Sequence, residues 1–419
     1  LWRTDSADPV LLGCGRQIVG NWTVDADFFV LTQDGLLGTG IRQGLPESAA
    51  PAEILHTIRS LPIRIPAPAK TASDLQKPFA VQTFASPVTA LAQWNGTIAA
   101  GLQDGTLHIN GKSCSFGQTI TALAAIPDGK GAIQWAAGVY PAPGQKLSQL
   151  VLLTENLQEK WRFEPMYYQV HRPVIRDIFP VIHQTGAPPA IAIGTKAWMF
   201  QTVDQTTGKM LRRLPILHPA TNGAAGDLDG DGIEEIIAGA EYYSSPIYNA
   251  AGKQLWNRRL MPYALHQLSG DLDQDGKMEF YSLRGNGTWT QFRAEHPRKS
   301  GRLPEITLTS GNTGGEALGG AFYQGKLYTL SSSGVLCCTD GETTVMTRSL
   351  GRQFTAFCGG ESGLFAMDLQ GVIVKIAPDG REICRYAAGF DPASIQPVLA
   401  VATPEGAAFA SGQKIYLVK

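Results

Sequence analysis

The chain has 419 residues, of which 43% are hydrophobic and 17% charged, and its formal net charge is -1. This composition supplies a large apolar core and excludes an intrinsically disordered chain. The balanced charge excludes the basic surface typical of nucleic-acid-binding proteins, and no apolar run approaches the ~18 residues of a membrane span. The 47 glycines and 26 prolines predict a chain that turns often.

The N-terminal part of the chain predicts an early strand, a linker and a first four-stranded unit. Residues 9–12 are apolar and predict the early strand, whereas the proline-containing segment 62–84 is typical of a linker or insertion. Residues 88–116 alternate between apolar segments and turns. Their turns, Asn95-Gly96 and Asp104-Gly105, are of the kind that tight hairpins require.

Two acidic loops follow, and their spacing reveals an internal repeat. Gly226-Asp-Leu-Asp-Gly-Asp-Gly232 recurs as Gly270-Asp-Leu-Asp-Gln-Asp-Gly276, 44 residues later. The pair Gly208-Lys209 recurs as Gly252-Lys253 at the same spacing. A fixed period of this length indicates an array of similar supersecondary units.

Four-stranded units continue to the C-terminus. Short apolar strands separated by Gly-containing turns are predicted at 320–323, 326–330, 335–338 and 344–347, and again at 364–367, 372–376 and 383–386. Residues 398–418 contain three further strands, one short of a complete unit.

Four antiparallel strands every ~40–50 residues predict an all-β fold, a single β-propeller covering residues 1–419. Eight blades are preferred, with seven to nine possible, and an array of two-sheet sandwiches is the structural alternative. Because an unclosed ring would expose a sheet edge, we expect N- and C-terminal strands to share the last blade. Residues 9–12 are the expected N-terminal partner of the three C-terminal strands.

The acidic loops predict two structural calcium sites. Alternating carboxylates at positions 1, 3 and 5 converge on one hard cation, and the glycine at position 6 permits the sharp bend. Oxygen-only ligation favours calcium over zinc or copper. The expected ligands, with a backbone carbonyl at position 7, are Asp227, Asp229, Asp231, Ile233 and Glu235 in the first loop and Asp271, Asp273, Asp275, Lys277 and Glu279 in the second.

An apolar strand follows each acidic loop directly, and this pattern resembles the FG-GAP or VCBS repeat, the calcium-bearing blade of integrin-type propellers and of many exported bacterial propellers. The resemblance is specific over residues 222–290, within blades predicted at about 222–308. It implies a secreted, periplasmic or cell-surface protein, with an export signal or preceding segment upstream of Leu1.

Other blades look more like quinoprotein repeats. Trp161 and Trp256 fit the tryptophan docking position of those repeats, but Arg212 stands where a third tryptophan is expected. No organic cofactor is therefore predicted.

Three histidines recur at similar intervals, since His171, His218 and His266 lie 47 and 48 residues apart. If equivalent positions on consecutive blades face one channel, these histidines share a site. With arginine to neutralise a carboxylate and tyrosine to transfer protons, such a site suits β-elimination on a uronate-containing polysaccharide. The candidate catalytic residues are His171, His218, His266, Arg172, Arg176, Tyr242 and Tyr243. The alternatives are histidines that hydrogen-bond to a neighbouring blade, or that hold a transition metal.

Aromatic residues near predicted turns or strand ends suggest a binding function instead. They are Trp94, Trp135, Trp198, Trp289, Tyr167, Tyr168, Tyr242 and Tyr243. Exposed rings of this kind stack on sugars, whereas buried rings only fill the space between blades. The sequence therefore predicts an exported, calcium-stabilised propeller that binds a polysaccharide or other glycan at a mouth of the channel. A polysaccharide lyase and a protein-binding or adhesion propeller are the alternatives, and the sequence leaves open whether the protein is an enzyme.

Overall fold

The computed structural model describes residues 10–19, 22–31, 37–40, 75–142, 148–166, 173–242, 245–257, 264–295, 305–388 and 398–419. Within these ranges the chain forms strands and turns and contains no helix. Consequently no described helix is long and apolar enough to cross a membrane.

The strands of the first half of the chain are β1 (Val10–Val19), β2 (Trp22–Leu31), β3 (Leu37–Gly40), β4 (Ala80–Thr83), β5 (Val88–Trp94), β6 (Thr97–Leu102), β7 (Thr106–Ile109), β8 (Lys112–Ser115), β9 (Ile120–Pro127), β10 (Ile133–Val139), β11 (Gln149–Leu153), β12 (Glu159–Phe163), β13 (Ile175–Val181), β14 (Ala190–Thr195), β15 (Met199–Val203) and β16 (Met210–Pro215). Those of the second half are β17 (Ala220–Gly226), β18 (Glu235–Ala240), β19 (Ile247–Tyr248), β20 (Gln254–Trp256), β21 (Ala264–Gly270), β22 (Glu279–Arg284), β23 (Thr288–Glu295), β24 (Glu305–Asn312), β25 (Ala317–Tyr323), β26 (Lys326–Ser331), β27 (Val335–Thr339), β28 (Thr344–Ser349), β29 (Phe354–Gly360), β30 (Gly363–Asp368), β31 (Val372–Ile376), β32 (Glu382–Ala387), β33 (Leu399–Thr403), β34 (Gly406–Ser411) and β35 (Lys414–Val418).

Strands β4 to β35 form eight antiparallel four-stranded sheets, the blades of a β-propeller. We number the blades 1 to 7 from β5–β8 to β29–β32, and blade 8 combines β33, β34, β35 and β4. The first strand of each blade packs against the first strand of the next blade, and β33 packs against β5. These eight inner strands therefore close a ring, which confirms the preferred blade count.

The strand that closes the ring is β4, and the sequence-based prediction of residues 9–12 is wrong. β4 pairs with β35 in the register Lys414↔Thr83 to Leu417↔Ala80. Residues 10–12 instead belong to β1, which pairs with β2 in a separate three-stranded sheet, β1–β2–β3. β4 precedes the inner strand of blade 1 by only a few residues, so it reaches the neighbouring blade 8 through a short connection. The predicted linker 62–84 thus contains this strand, and its residues 62–74 lie outside the described part.

The apolar core lies between the blades. The second strand of a blade is covered on both faces, and every side chain of β14, β18, β22 and β30 is buried. Strands covered on both faces are expected to be continuously apolar rather than alternating. The small residues of these strands allow adjacent blades to approach closely.

Outer strands fasten blades together through one large side chain that covers a glycine of the next blade. The Trp161 indole on β12 lies over Gly208, and its Nε1 donates to Gln205 O at 2.9 Å. Arg212 packs on Gly252 in the same way one blade later. Arg212 therefore keeps the docking contact although it is not a tryptophan.

Candidate functional site

The first acidic loop connects β17 to β18 and is folded around the Asp227 carboxylate. Gly230 N donates to Asp227 Oδ1 at 2.7 Å and Gly232 N donates to Asp227 Oδ2 at 2.8 Å. Gly230 and Gly232 both have positive φ, at 77° and 81°, a conformation that glycine adopts at little cost. Ile233 N donates to Asp231 Oδ1 at 2.9 Å and closes the last turn before β18.

Three carboxylates of this loop form a cluster that could hold a cation. Oxygen atoms of Asp227, Asp229 and Glu235 lie within 4.8 Å of one another, and Asp231 lies outside this group. Glu235 is only 1% exposed. Burial, followed by the nearby Asp229 carboxylate, raises the pKa of Glu235 to about 8. A divalent cation would offset both effects, because it stabilises the ionised carboxylates.

The second acidic loop connects β21 to β22 and brings all four predicted acidic ligands together. Oxygen atoms of Asp271, Asp273, Asp275 and Glu279 lie within 4.8 Å of one another. An arginine lies beside this loop: Arg293 Nη2 lies 2.7 Å from Asp273 Oδ2 and 3.9 Å from Glu279 Oε1. This positive charge competes with a cation for the same carboxylates.

The two loops also link three blades. Met278 N in the second loop donates to Asp227 O in the first at 2.9 Å. On the other side, Ile182 N of blade 3 donates to Glu234 Oε2 at 2.6 Å, and Glu234 N donates to Ile182 O at 2.8 Å. A cation that ordered these loops would therefore stabilise contacts between blades 3, 4 and 5.

The sequence analysis predicted that the histidines occupy equivalent positions on their blades. For His218 and His266, the two that the structure describes, this prediction is wrong. His218 precedes β17 by two residues, whereas His266 lies within β21, where it pairs with Leu283. When the blades are aligned by strand register, which follows the 44-residue spacing of the acidic loops, Asp177 and Asn222 occupy the positions equivalent to His266. The spacing of 48 exceeds the 44-residue pitch because His218 lies two residues before the start of β17, whereas His266 lies two residues after the start of β21. His171, Arg172 and Tyr243 lie outside the described residues.

Asp177, Asn222 and His266 each form a hydrogen bond to the next blade. Asp177 Oδ2 accepts from Gly223 N at 2.7 Å, and Asn222 Oδ1 accepts from Gln267 N at 2.9 Å. His266 hydrogen-bonds to the Ala317 backbone, and burial lowers its pKa. His266 is therefore positioned as a partner of the neighbouring blade, which was the structural alternative considered for the histidines. Sequence reasoning missed Asp177, although a lone acid in an apolar inner strand was a usable signal.

A second group of polar and aromatic residues lies where β13 and β17 begin, the end of the ring that we call the mouth. His218 contacts Trp198 and Tyr242, with ring centroids 5.0 Å and 4.7 Å apart. All three rings are half-buried. Trp198 and His218 also have positive φ, 60° and 86°, which is uncommon for residues with side chains and is often found at functional sites.

An ion pair adjoins these rings. Arg176 Nη1 contacts Glu241 Oε1 and also donates to Ala220 O at 3.1 Å. We call Arg176, Trp198, His218, Glu241 and Tyr242 the mouth cluster. It contains three of the predicted catalytic residues, and it lies at the opposite end of the inner strands from the acidic loops.

The other described aromatic residues from the sequence analysis do not join this cluster. Trp135 and Trp289 are each 1% exposed and fill the core. Trp94 is 38% exposed at the far end of β5. Tyr167 and Tyr168 lie outside the described residues.

The comparisons with known proteins agree with the architecture. No family model matches the chain, and no curated protein matches it. Sqt1 from Saccharomyces cerevisiae is similar in structure, with a TM-score of 0.60 and 10% identity over 82% of this chain and 100% of that one. BamB from Moraxella catarrhalis is similar with a TM-score of 0.52 and 12% identity over 82% of this chain and 98% of that one. At these identities, the likeness shows a shared β-propeller fold.

Proposed function

We propose that this propeller is a calcium-stabilised binding protein that takes a glycan at the mouth cluster. The carrying observation is the half-buried triad Trp198–His218–Tyr242 beside the Arg176–Glu241 ion pair. Aromatic faces offer a rigid apolar surface to a sugar ring, and the charged pair supplies a donor and an acceptor for hydroxyl groups. A few polar groups placed around an apolar surface are typical of small-ligand sites.

Calcium is the second part of the proposal. The two acidic clusters have the ligand types and spacing that calcium requires, and they resemble FG-GAP loops. Asp227, Asp229 and Glu235 would hold one ion, and Asp271, Asp273, Asp275 and Glu279 the other. Such sites in extracellular modules bind calcium at ~10⁻⁴–10⁻³ M, a concentration found outside the cytosol. This argument supports an exported protein.

Binding is preferred to β-elimination because of the state of Arg176. A lyase needs a cation to neutralise the substrate carboxylate, but the Arg176 charge is already paired with Glu241. His218 also packs between two rings rather than beside His266. A protein ligand is the other alternative, since propellers commonly serve as interaction surfaces.

The proposal is tested by screening the protein against polygalacturonate, alginate, hyaluronan, dextran and xylan in calcium-containing buffer. We expect at least one of them to bind, and we expect Trp198→Ala and Tyr242→Ala each to weaken binding tenfold or more. Trp94→Ala is the matched control, because it removes a partly exposed tryptophan at the other end of an inner strand. Thermal unfolding of each variant checks the fold.

Two outcomes contradict this proposal. Failure of all five polysaccharides to bind would contradict a glycan ligand. Equal effects of Trp198→Ala and Trp94→Ala would contradict binding at the mouth cluster. Monitoring ultraviolet absorbance for an unsaturated uronate during the same screen separates a lyase from a binding protein.

A further inference from the structure

A pocket of about 330 Å³ lies between blades 3 and 4, at the end of the ring that carries the acidic loops. Its walls come from the β13–β14 loop, from β15 and β16, from the first acidic loop, and from the β19–β20 turn. Small-molecule sites typically measure about 300–1,000 Å³. This pocket therefore fits a ligand of one or two sugar rings rather than a polymer chain.

The walls of the pocket are fixed before any ligand binds. In the β19–β20 turn, Lys253 N donates to Asn249 Oδ1 at 2.9 Å and Gly252 N donates to Asn249 O at 2.8 Å. Arg212 packs its side chain on Gly252 of this turn, and its Nη1 donates to Leu211 O at 2.8 Å. A preformed site avoids the entropic cost of ordering its side chains on binding.

The lining combines apolar side chains, among them Leu211, Ile233 and Ala250, with a few polar and charged groups. Arg212, Gln184 and Asn249 supply donors, and Asp231 and Glu235 supply carboxyl groups. His183 also lines the pocket, and its Nδ1 atom is buried with no hydrogen-bond partner among the described residues. Mixed donors and acceptors without a large excess of one charge suit a neutral polyhydroxylated ligand.

The neighbouring blade shows what closes such a pocket. By strand register, Tyr248 of blade 4 corresponds to Phe292 of blade 5, so Asn249 corresponds to Arg293. In blade 5 the Arg293 guanidinium reaches Asp273 at 2.7 Å and fills the space beside the second acidic loop. The shorter Asn249 leaves the corresponding space beside the first loop open.

We propose that the pocket between blades 3 and 4 is a second binding site, specific for a neutral mono- or disaccharide. His183, Gln184, Arg212, Asp231 and Asn249 contact the ligand hydroxyls. This site is separate from the mouth cluster and does not depend on the function proposed for it. Acidic sugars bind more weakly here because the Asp231 carboxylate in the lining repels them.

The test uses saturation-transfer NMR and calorimetry with glucose, galactose, mannose, N-acetylglucosamine, maltose and glucuronate as probes. We expect one or more neutral sugars to bind and glucuronate to bind at least threefold more weakly than the best of them. Asn249→Arg, which copies blade 5, and Ala250→Phe, which narrows the pocket, should each reduce binding tenfold or more. His183→Ala removes an imidazole ring from the pocket wall and should also weaken binding.

Gln158→Ala is the matched control, because it shortens an exposed glutamine in a turn of blade 2 that lies outside the pocket. Trp198→Ala should leave pocket binding unchanged, which separates this site from the mouth. The proposal is overturned if no probe binds to the intact protein. It is also overturned if binding survives both Asn249→Arg and Ala250→Phe in variants whose melting temperature matches the parent.

Discussion

At the scale of single residues, the inner strands carry polar side chains that join one blade to the next. Asp177 is the acidic member of this group, and burial raises its pKa to about 6 despite hydrogen bonds from the Gly223 and Ile178 backbone. At the equivalent position of blade 4, Asn222 makes a similar bond to the next blade without a charge. The amide oxygen of asparagine is therefore sufficient for the contact.

This comparison predicts how stability depends on pH. Because the folded-state pKa of Asp177 is above the unfolded value of ~3.9, the folded state holds the proton more tightly. The stabilisation is complete below about pH 4 and is lost as pH rises through about 6. A shift of ~2 pKa units corresponds to about 3 kcal/mol.

Asp177→Asn should remove this dependence. We expect the variant to be more stable than the parent at pH 7.5, by up to about 3 kcal/mol, and similar to it or less stable at pH 4. Urea unfolding of both proteins at the two pH values measures the difference. A stability difference that is the same at both pH values would show that the Asp177 carboxyl does not titrate abnormally.

At the scale of elements, the outer strands are held by docking side chains, and Trp161 on β12 combines two interactions. Its ring covers Gly208, and its Nε1 donates to Gln205 O at 2.9 Å. Gly208 has a φ of 69° in a tight turn, so the turn and the tryptophan fit each other. The contact ties blade 2 to blade 3.

Trp161→Ala should lower the free energy of unfolding by about 2 kcal/mol, less than the ~3–5 kcal/mol typical of a fully buried tryptophan, because Trp161 is half-buried. Trp161→Phe should cost less, since it keeps most of the packing and loses the hydrogen bond. Lys160→Ala, at the adjacent exposed position of β12, serves as the control. Denaturant unfolding measures all three, and an equal cost for Trp161→Ala and Lys160→Ala would argue against docking.

At the scale of the whole molecule, the sequence predicted the repeated blades but not the strand that closes the ring. Turn dipeptides and the 44-residue loop spacing predicted four-stranded blades because they depend on local backbone geometry. The partner of β35 depends on which N-terminal segment reaches it. Residues 9–12 are the more apolar segment, whereas residues 80–83, Ala-Val-Gln-Thr, lie within the predicted linker. β4 pairs with β35 because a short connection joins β4 to blade 1, next to blade 8. This pairing is visible only in the assembled ring.

The proposed calcium and glycan sites also differ in how far they could be predicted from sequence, because one depends on local and the other on long-range contacts. The carboxylates of each acidic loop lie within nine residues of one another, so their clustering followed from spacing. The mouth cluster joins Arg176 and Glu241, which are 65 residues apart, and its geometry depends on connection lengths between blades. The search for evenly spaced histidines paired non-equivalent positions, because His218 precedes β17 whereas His266 lies within β21.

The proposed calcium sites would link the acidic loops to the stability of the ring. The loops join blades 3, 4 and 5 through backbone hydrogen bonds, so loss of either site should weaken the whole propeller. A ligand that binds only the folded state, at ~100 times its dissociation constant, stabilises it by about 2.7 kcal/mol per site. Arg293 should weaken calcium binding at the second site, because it competes for Asp273 and Glu279.

The most direct test is a calcium titration of chelator-treated protein by calorimetry, with the melting temperature followed at each step. We predict two bound ions and a rising melting temperature, with Asp227→Asn and Asp271→Asn each removing one ion. Glu361→Gln, an exposed acid in another blade, should leave both ions in place. A protein that takes up no calcium at millimolar concentration and melts at an unchanged temperature would contradict a calcium-stabilised propeller.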